Sequence, residues 1–410
     1  MKFTWLSNAS WAATGYGDQT KLIVEGLKKR GHEPAIISFY GLQGGILNWG
    51  GVPVFPNGHM PYGQDIAAAH TVQYGARYLF SLVDAWVFNN TPFYDALQKD
   101  RIRWIPYFPI DSEPLPPFVK IAVERAYKRI VFSKFACRMM DNAGLEYTYI
   151  PHCIDTEELK PKDRIQSRQL MKTQGLTIPN DAYVVGMVAA NKGAPSRKAF
   201  SRHIEAFAKF KKKHSDAVFY IHTSTGERGE YGGENLLEQC RFYGLTVNKD
   251  VFFPDAYSYY LGFPKNYLAH IYSMMNVHIL VSSGEGFGIP TIEAQACGVP
   301  VIVGDWTAMP ELCKTGQIVP KEESDAVWTP VAALQYAPRV DAIVEALERA
   351  YSENRDPQQV RERVLDYDAA HVVDKYWMPY LKQLEEDDAA TQDEITASRQ
   401  MAGRRLVINE

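Results

Sequence analysis

Cysteine is scarce in this sequence. The five residues, Cys137, Cys153, Cys240, Cys297 and Cys313, are odd in number and scattered, and no two of them form a C-x-x-C pair. This pattern argues against a disulfide framework and against a zinc site. It also fits a reducing compartment, so we expect a cytoplasmic protein.

Long apolar runs and an excess of one charge sign are missing as well. No apolar run approaches the ~18 residues that would span a bilayer, and the first residues lack a signal-peptide pattern, so we expect no transmembrane segment. The net charge of −4 gives no general attraction to nucleic acid or to anionic lipid. The basic run at 209–214 is most simply a solvated helix end. Peripheral membrane contact and nucleic-acid contact therefore lack support.

The length of 410 residues exceeds that of one ordinary core and predicts two domains. The hydrophobic content of 46% is ample for packed globular domains. Strand-like and helix-like segments alternate along the chain, which predicts mainly parallel, doubly wound α/β sheets. A charged stretch at 160–180 favours a domain boundary there. We therefore predict an N-terminal domain at 1–165 and a C-terminal domain at 175–365.

The first segment has the order of a nucleotide-binding-like unit. A strand at 2–6 is followed by the turn Thr14-Gly15-Tyr16-Gly17, a helix at 18–30 and a second strand. The turn is not a G-x-G-x-x-G pattern, and no acidic residue follows the second strand, which argues against a dinucleotide site. Further along the chain we predict a surface excursion at 41–63 and strands at 85–88 and 104–108.

The stretch Val281–Gly304 combines several structural signals, with the sequence VSSGEGFGIPTIEAQACGVPVIVG. The end of an apolar strand leads into a glycine-punctuated turn at 284–288, where backbone amides can approach a ligand. Pro290 suits the first turn of a helix, and Gly298 ends that helix before the next strand. This unit points free N–H groups and the positive end of a helix dipole at an anion above the sheet.

Two carboxylates frame this loop. Glu285 lies within it and Glu293 lies in the first turns of the helix, with seven residues between them. Carboxylates accept hydrogen bonds, and pairs of sugar or ribose hydroxyls donate them. Amides for phosphate together with carboxylates for hydroxyls suit a nucleotide sugar. A ligand-free corner, with one exposed glutamate and one helix-dipole glutamate, remains the alternative.

The segment SSGEGFGIPTIEAQACGVPVI resembles the E-x7-E signature of retaining GT-B glycosyltransferases, in particular the family-4 group. The resemblance implies two doubly wound, Rossmann-like domains that face a cleft. It also implies that a last helix, at about 370–385, crosses back onto the N-terminal domain. The polar residues 386–410 beyond it are expected to form a mobile tail.

The resemblance also implies roles for individual residues. Glu285 would contact the donor sugar, and Glu293 would bind the ribose hydroxyls. The backbone amides after Glu285 would hold the sugar and the diphosphate. The predicted donor-binding residues are Gly15, Gly17, Glu285, Gly286, Phe287, Gly288, Glu293, Arg197 and Lys198, of which Arg197 is not at a position that the family uses.

A second loop gathers cations at the N-terminus of a helix. Lys192, Arg197 and Lys198 follow a predicted strand at 182–190. Cations at a helix N-terminus are electrostatically unfavourable unless an anion docks there, so a diphosphate partner is favoured over a solvated loop. The family uses an Arg directly after this strand and a Lys later. Lys198 matches the Lys, whereas Ala190 occupies the Arg position, so Arg197 would supply the second charge.

Asp111 is the candidate for the acceptor side of the site. In the family, a His within a His-Asp pair lies near the reacting sugar, whereas the corresponding segment Tyr107–Pro114 contains the Asp and no His. An Asx turn or helix cap remains the alternative for Asp111. The motif Asp366-Tyr367-Asp368 has the D-x-D form of metal-dependent transferases. No strand precedes it, and we interpret it as a helix cap.

Together these features predict a retaining glycosyltransferase that moves a sugar from a nucleotide-diphospho-sugar to an acceptor hydroxyl. Glu285, Lys198, Arg197 and Asp111 are the predicted catalytic residues. Cations and amides would stabilise the leaving diphosphate, so no metal and no cofactor are expected. The alternatives are a non-catalytic sugar-nucleotide-binding protein on the same fold and a nucleic-acid-modifying glycosyltransferase. A glycosidase using Glu285 and Glu293 is disfavoured, because a glutamate beneath phosphate-binding amides would be ionised and a poor acid.

Overall fold

The computed structural model describes residues 1–89 and 91–390. These residues form two α/β units, each built on a mainly parallel sheet with helices packed against it, which confirms the predicted fold class. The N-terminal unit contains the strands β1 (Lys2–Asn8), β2 (Glu33–Tyr40), β3 (Leu47–Trp49), β4 (Val52–Phe55), β5 (Tyr78–Leu82), β6 (Arg103–Phe108), β7 (Ile130–Val131) and β8 (Thr148–Tyr149). Its helices are α1 (Gly15–Lys29), α2 (Ala67–Tyr74), α3 (Thr91–Lys99), α4 (Pro117–Glu124) and α5 (Lys134–Asn142).

The C-terminal unit follows the same alternation. Its strands are β9 (Tyr183–Val188), β10 (Ala217–His222), β11 (Val251–Phe252), β12 (Val277–Leu280), β13 (Val301–Gly304), β14 (Gly316–Val319), β15 (Ala326–Trp328) and β16 (Leu334–Tyr336). Its helices are α6 (Arg164–Lys172), α7 (Phe200–Lys211), α8 (Leu236–Phe242), α9 (Ala256–Leu261), α10 (Lys265–Ser273), α11 (Ile289–Ala296), α12 (Met309–Leu312), α13 (Val340–Ser352) and α14 (Pro357–Glu362), followed by α15 (Ala369–Val372).

Strand order places the ends of the central strands side by side. Within the described residues the first sheet has the order β3-β4-β2-β1-β5-β6-β7-β8, and the second has the order β11-β10-β9-β12-β13-β14. Apart from the β3–β4 pair, the pairings in these two sheets are parallel. The carboxyl ends of parallel strands meet at one edge, and loops at that edge are where ligands bind in open α/β sheets.

The first helix begins earlier than the sequence pattern predicts. The side chain of Thr14 accepts a hydrogen bond from the Gly17 amide, so α1 starts at Gly15 and both glycines lie in its first turn. The buried face of α1 carries Ile23, Val24 and Leu27. The predicted glycine turn is therefore a helix N-terminus.

Two other predictions for the N-terminal unit are wrong. Part of the surface excursion at 41–63 is β4, which pairs with β2 and buries Val52 and Val54. Residues 85–88, predicted as a strand, form a 3-10 turn. The strand in this part of the chain is β5, which begins seven residues earlier, at Tyr78. Every residue of β5 is buried, as expected for a central parallel strand, so no polar alternation marked it in the sequence.

The predicted boundary stretch at 160–180 contains helix α6. This helix packs on the C-terminal unit, where Ser167 Oγ lies 3.0 Å from His270 Nδ1 and Arg168 Nε donates to the Met274 carbonyl at 3.2 Å. The chain therefore joins the C-terminal unit before the second sheet begins.

The last helix crosses back onto the first sheet, which confirms that part of the predicted fold. Residues 369–390 are helical, with a π-helical turn at Val373–Trp377. Trp377 is fully buried, and its ring centroid lies 5.5 Å from that of Trp5 and 5.4 Å from that of Tyr107. This cluster fastens the end of the C-terminal unit to the core of the N-terminal unit.

The predicted tail begins at residue 386, and residues 386–390 continue the last helix. In this stretch Asp388 accepts a hydrogen bond from the Tyr78 hydroxyl at 2.8 Å and pairs with Arg103. The remainder of that predicted tail, 391–410, lies outside the described residues. Among the residues that the structure describes, no helix is long and apolar enough to cross a membrane.

Candidate active site

The glycine loop between β12 and α11 lies directly against the N-terminal unit. A Cβ on Gly284 would lie 2.2 Å from the carbonyl oxygen of Asp111, and one on Gly286 would lie 2.6 Å from the Cβ of Pro109. Neither position has room for a side chain. The glycines thus allow the loop that carries Glu285 to meet the segment that carries Asp111.

Glu285 is buried between two cations. Only 4% of it is exposed, and its carboxylate lies 2.5 Å from Lys198 Nζ and 3.3 Å from an Arg197 guanidinium nitrogen. Burial raises the pKa of Glu285, but the charges of Lys198 and Arg197 outweigh burial and lower that pKa to about 2. The Glu285 amide donates to the Thr307 hydroxyl at 3.0 Å, which orients the loop. Glu285 is therefore a fixed anion at neutral pH.

Arg197 joins the two halves of the site. Its guanidinium donates to the Gly284 carbonyl and lies 3.6 Å from the Asp111 carboxylate of the N-terminal unit. Burial lowers the pKa of Lys198 and the Glu285 carboxylate opposes that change. The four predicted catalytic residues, Glu285, Lys198, Arg197 and Asp111, thus form one contiguous charged cluster across the cleft.

Glu293 lies in a separate cluster. It is 4% exposed, and its carboxylate lies 2.7 Å from Lys265 Nζ and 2.8 Å from the Tyr272 hydroxyl. Lys265 Nζ also lies 2.8 Å from the Asp18 carboxylate in the first turn of α1. Asp18, Lys265 and Glu293 line a cavity of ≈ 400 Å³ between the two units, together with Ile289.

Some of the remaining predicted donor-binding residues face the cleft, and others are packed inside the protein. A Cβ on Gly17 would lie 2.2 Å from the Ala12 carbonyl oxygen, so this glycine is required by packing of its own loop. Gly15 faces the cleft, since a Cβ there would lie 3.4 Å from the side chain of Ile289. Phe287 is 3% exposed and packs edge-on against His152, so only its backbone is available to a ligand. Gly288 has φ +103° directly before α11.

Sequence reasoning missed Asp84 and Lys265. Burial, assisted by the negative charge of Asp111, raises the pKa of Asp84 to about 6, and Arg197 opposes the rise. Asp84 follows β5 at the sheet edge, and placing that strand at 85–88 concealed it. Lys265 begins α10, where no sequence pattern signals a partner in the other unit.

Asp368 caps α15. Its carboxylate accepts hydrogen bonds from the amides of Ala370 at 2.9 Å and His371 at 3.3 Å, and from the Thr156 hydroxyl at 2.7 Å. The D-x-D motif is therefore a helix cap, as predicted. In residues 1–89 and 91–390, no three His, Cys, Asp or Glu side chains gather in a way that could hold a metal ion.

Comparison with known proteins bears on this geometry. Residues 173–364 match the family model described as glycosyl transferases group 1. This stretch includes the glycine loop, both glutamates and the cation loop.

Curated relatives that resemble this chain are named mannosyltransferases. The chain is 28% identical over 221 residues to a GDP-mannose-dependent alpha-(1-6)-phosphatidylinositol monomannoside mannosyltransferase of Mycolicibacterium smegmatis. The aligned stretch covers 52% of each protein. It is 36% identical over 70 residues to the O-antigen chain mannosyltransferase B of Escherichia coli, covering 17% of this chain and 18% of that protein. The chain thus spans about half or less of the length of these relatives.

Solved structures resemble this chain over both of its units. Sucrose-phosphate synthase from Thermosynechococcus elongatus superposes with a TM-score of 0.70 at 17% identity, covering 95% of this chain and 100% of that one. A glycosyltransferase from Rickettsia africae gives 0.68 at 16% identity, covering 93% and 98%. The chain therefore has a two-domain GT-B fold, as predicted.

Proposed function

We propose that this GT-B protein transfers a sugar from a nucleotide-diphospho-sugar to an acceptor hydroxyl, with retention of configuration and without a metal ion. The observation that carries the proposal is the cluster of Glu285, Lys198 and Arg197 at the glycine loop, closed over by Asp111. The cluster combines a carboxylate, which can accept hydrogen bonds from sugar hydroxyls, with two cations, which can bind phosphate.

The proposed step needs charge stabilisation at the leaving group. The acceptor oxygen forms a bond to the anomeric carbon while the bond from that carbon to the diphosphate oxygen breaks. The departing phosphate oxygen takes the acceptor proton, so no protein nucleophile is required. Negative charge develops on the diphosphate, where Lys198, Arg197 and the amides before α11 would stabilise it.

The two glutamates would serve different parts of the donor. Glu285 is ionised, with a pKa of about 2, and would accept hydrogen bonds from the transferred sugar. That charge state makes it unsuited to the acid role in a glycosidase. Glu293 would bind the ribose hydroxyls, with Lys265 and Tyr272 orienting its carboxylate.

A donor screen tests the proposal. The Mycolicibacterium relative is GDP-mannose-dependent, so GDP-mannose is the first candidate, and UDP- and ADP-sugars are the comparison. Thermal shift identifies the bound donor, and nucleotide release with a sugar acceptor then measures turnover. Stoichiometric binding of a donor without turnover under any acceptor condition would favour the non-catalytic alternative. Absence of any nucleotide-sugar binding would refute the proposal.

A further inference from the structure

The hairpin formed by β15 and β16 belongs to neither large sheet. It lies between β14 and α13 in the C-terminal unit and pairs instead with the N-terminal unit. The Glu113 amide donates to the Leu334 carbonyl at 3.0 Å, and the Leu334 amide donates to the Glu113 carbonyl at 2.7 Å. The hairpin thus makes a two-way antiparallel bridge across the cleft.

The side chain of Glu113 reinforces this bridge. Its carboxylate lies 2.5 Å from the Tyr336 hydroxyl and 3.2 Å from Lys321 Nζ, which sits 3.8 Å from the centroid of the Tyr336 ring. Burial raises the pKa of Glu113, but hydrogen bonds from Tyr336 and Lys321 outweigh burial and lower it. Glu113 therefore carries its charge at neutral pH, which strengthens both hydrogen bonds. We name Glu113, Lys321, Leu334 and Tyr336 the interdomain clasp.

The same hairpin reaches the catalytic cluster from both sides. Gln335 donates through Nε2 to the Asp111 carbonyl at 3.3 Å. The Tyr336 amide donates to the Ser283 carbonyl at 3.0 Å, next to the glycine loop. Asp111 lies two residues before Glu113, and its carboxylate is 3.6 Å from Arg197. The clasp therefore lies beside the backbone that carries Asp111.

We propose that Glu113, Lys321 and Tyr336 are positioning residues that hold the cleft closed and set Asp111 against Arg197. None of the three has to touch substrate for this role. Because Glu113 lies on one unit and its partners lie on the other, the clasp breaks when the units separate. Its catalytic consequence rests on the glycosyl transfer proposed above, whereas its effect on closure does not.

The kinetic test uses Glu113→Gln and Lys321→Met, singly and together, in the full chain. The Gln variant keeps the backbone bridge and the side-chain shape, so any loss reports the charge. We expect kcat to fall by roughly tenfold, in line with misplaced catalytic groups, while the nucleotide dissociation constant stays within about twofold. Both variants break the same ion pair, between Glu113 and Lys321. The double variant should therefore lose no more kcat than the worse single variant. Glu238→Gln, which removes an exposed partner of Arg241, is the matched control.

The structural test needs no activity. Small-angle X-ray scattering of the ligand-free protein should give a larger radius of gyration for Glu113→Gln than for the wild type and for Glu238→Gln. Tyr336→Phe, which removes one hydroxyl, provides the same comparison if the Glu113 variants do not fold. Unchanged scattering together with unchanged kcat overturns the clasp. A wild type that transfers no sugar, with variants that still expand, refutes the proposed reaction and leaves the clasp standing.

Discussion

Glu285 keeps its charge inside a buried site because two cations replace the water that it has lost. An isolated buried carboxylate would neutralise. Lys198 and Arg197 prevent this by direct contact. Removing either cation leaves part of the Glu285 charge uncompensated, so folding must be checked together with rate.

The cation loop yields the first prediction. Lys198→Ala should lower kcat by about 100- to 1000-fold and Arg197→Ala by at least about tenfold, because each contact strengthens as the diphosphate leaves. Steady-state transfer kinetics measure this, with thermal unfolding to confirm folding. Lys212→Ala, an exposed lysine just after α7, is the control. Full turnover in the folded Lys198→Ala variant would contradict the assignment.

The two glutamates should separate kinetically. Glu293→Ala should weaken binding of the free nucleotide, since ribose contacts exist in both donor and product. Glu285→Ala should lower turnover and spare nucleotide affinity, because Glu285 is assigned to the transferred sugar. Isothermal titration with the nucleoside diphosphate measures both. Equal losses of nucleotide affinity in the two variants would remove the division of labour.

Asp84 should make stability depend on pH. Its pKa is raised from the ordinary aspartate value of about 3.9 to about 6, so the folded protein binds this proton more tightly than the unfolded chain. Stability is therefore lost as pH rises from about 4 to 6, and up to about 3 kcal/mol is missing above pH 6. Asp84→Asn should raise Tm at pH 7.5, and the difference should vanish near pH 4. An equal Tm difference at both pH values would contradict this origin.

At the scale of elements, the crossing helix holds the two units together. Its π-helical turn brings Trp377 onto the aromatic residues Trp5, Phe80 and Tyr107 of the first sheet. Gly26 of α1 permits the approach, since a Cβ there would lie 2.9 Å from the Val373 side chain. The helix therefore completes the core of the N-terminal unit although it lies at the other end of the chain.

Truncating this helix contact should be costly. Trp377 is fully buried, and Trp377→Ala should lower the free energy of unfolding by about 3–5 kcal/mol through lost burial and a residual cavity. Urea unfolding followed by circular dichroism measures it. Trp328→Ala, at a tryptophan that is 65% exposed, is the matched control. Similar losses in the two variants would show that burial at Trp377 is not the cause.

At the scale of the whole molecule, the site is built from residues of both units. In the described part of the chain, the contacts across the cleft include Lys265 with Asp18, the clasp at Glu113, and Glu311, which accepts hydrogen bonds from the first amides of α5. Each pairs a hydrogen-bond donor on one unit with a carboxylate on the other. Closure brings the cations of one unit to the carboxylate of the other and removes water from between them, which strengthens their interaction.

This closed electrostatic arrangement should make transfer independent of metal. Lys198 and Arg197 already supply positive charge where the diphosphate would lie, so we expect the rate to stay within about twofold in excess EDTA, a change of less than about 0.5 kcal/mol. Nucleotide release measured with EDTA, and again after added manganese, checks this. Activity that chelation abolishes and manganese restores would overturn it.

The sequence alone determined the local units and their chemistry. Strand, glycine loop and helix around Glu285 follow from residues adjacent in the chain, because apolar runs, glycines and a proline act on their own backbone. The cation loop with Arg197 and Lys198 was recognisable for the same reason. Strand β5 was missed because a fully buried parallel strand lacks alternation, and Asp84 was missed with it.

Only the tertiary structure decided which of these groups meet. Lys265 with Glu293 and Asp18, Glu113 with the β15–β16 hairpin, and Trp377 with the first sheet are all distant in sequence. No local pattern specifies such pairs, because their contact depends on how two sheets dock and where the last helix returns. The sequence placed charge at the ends of strands, and docking of the two units turned that charge into one site.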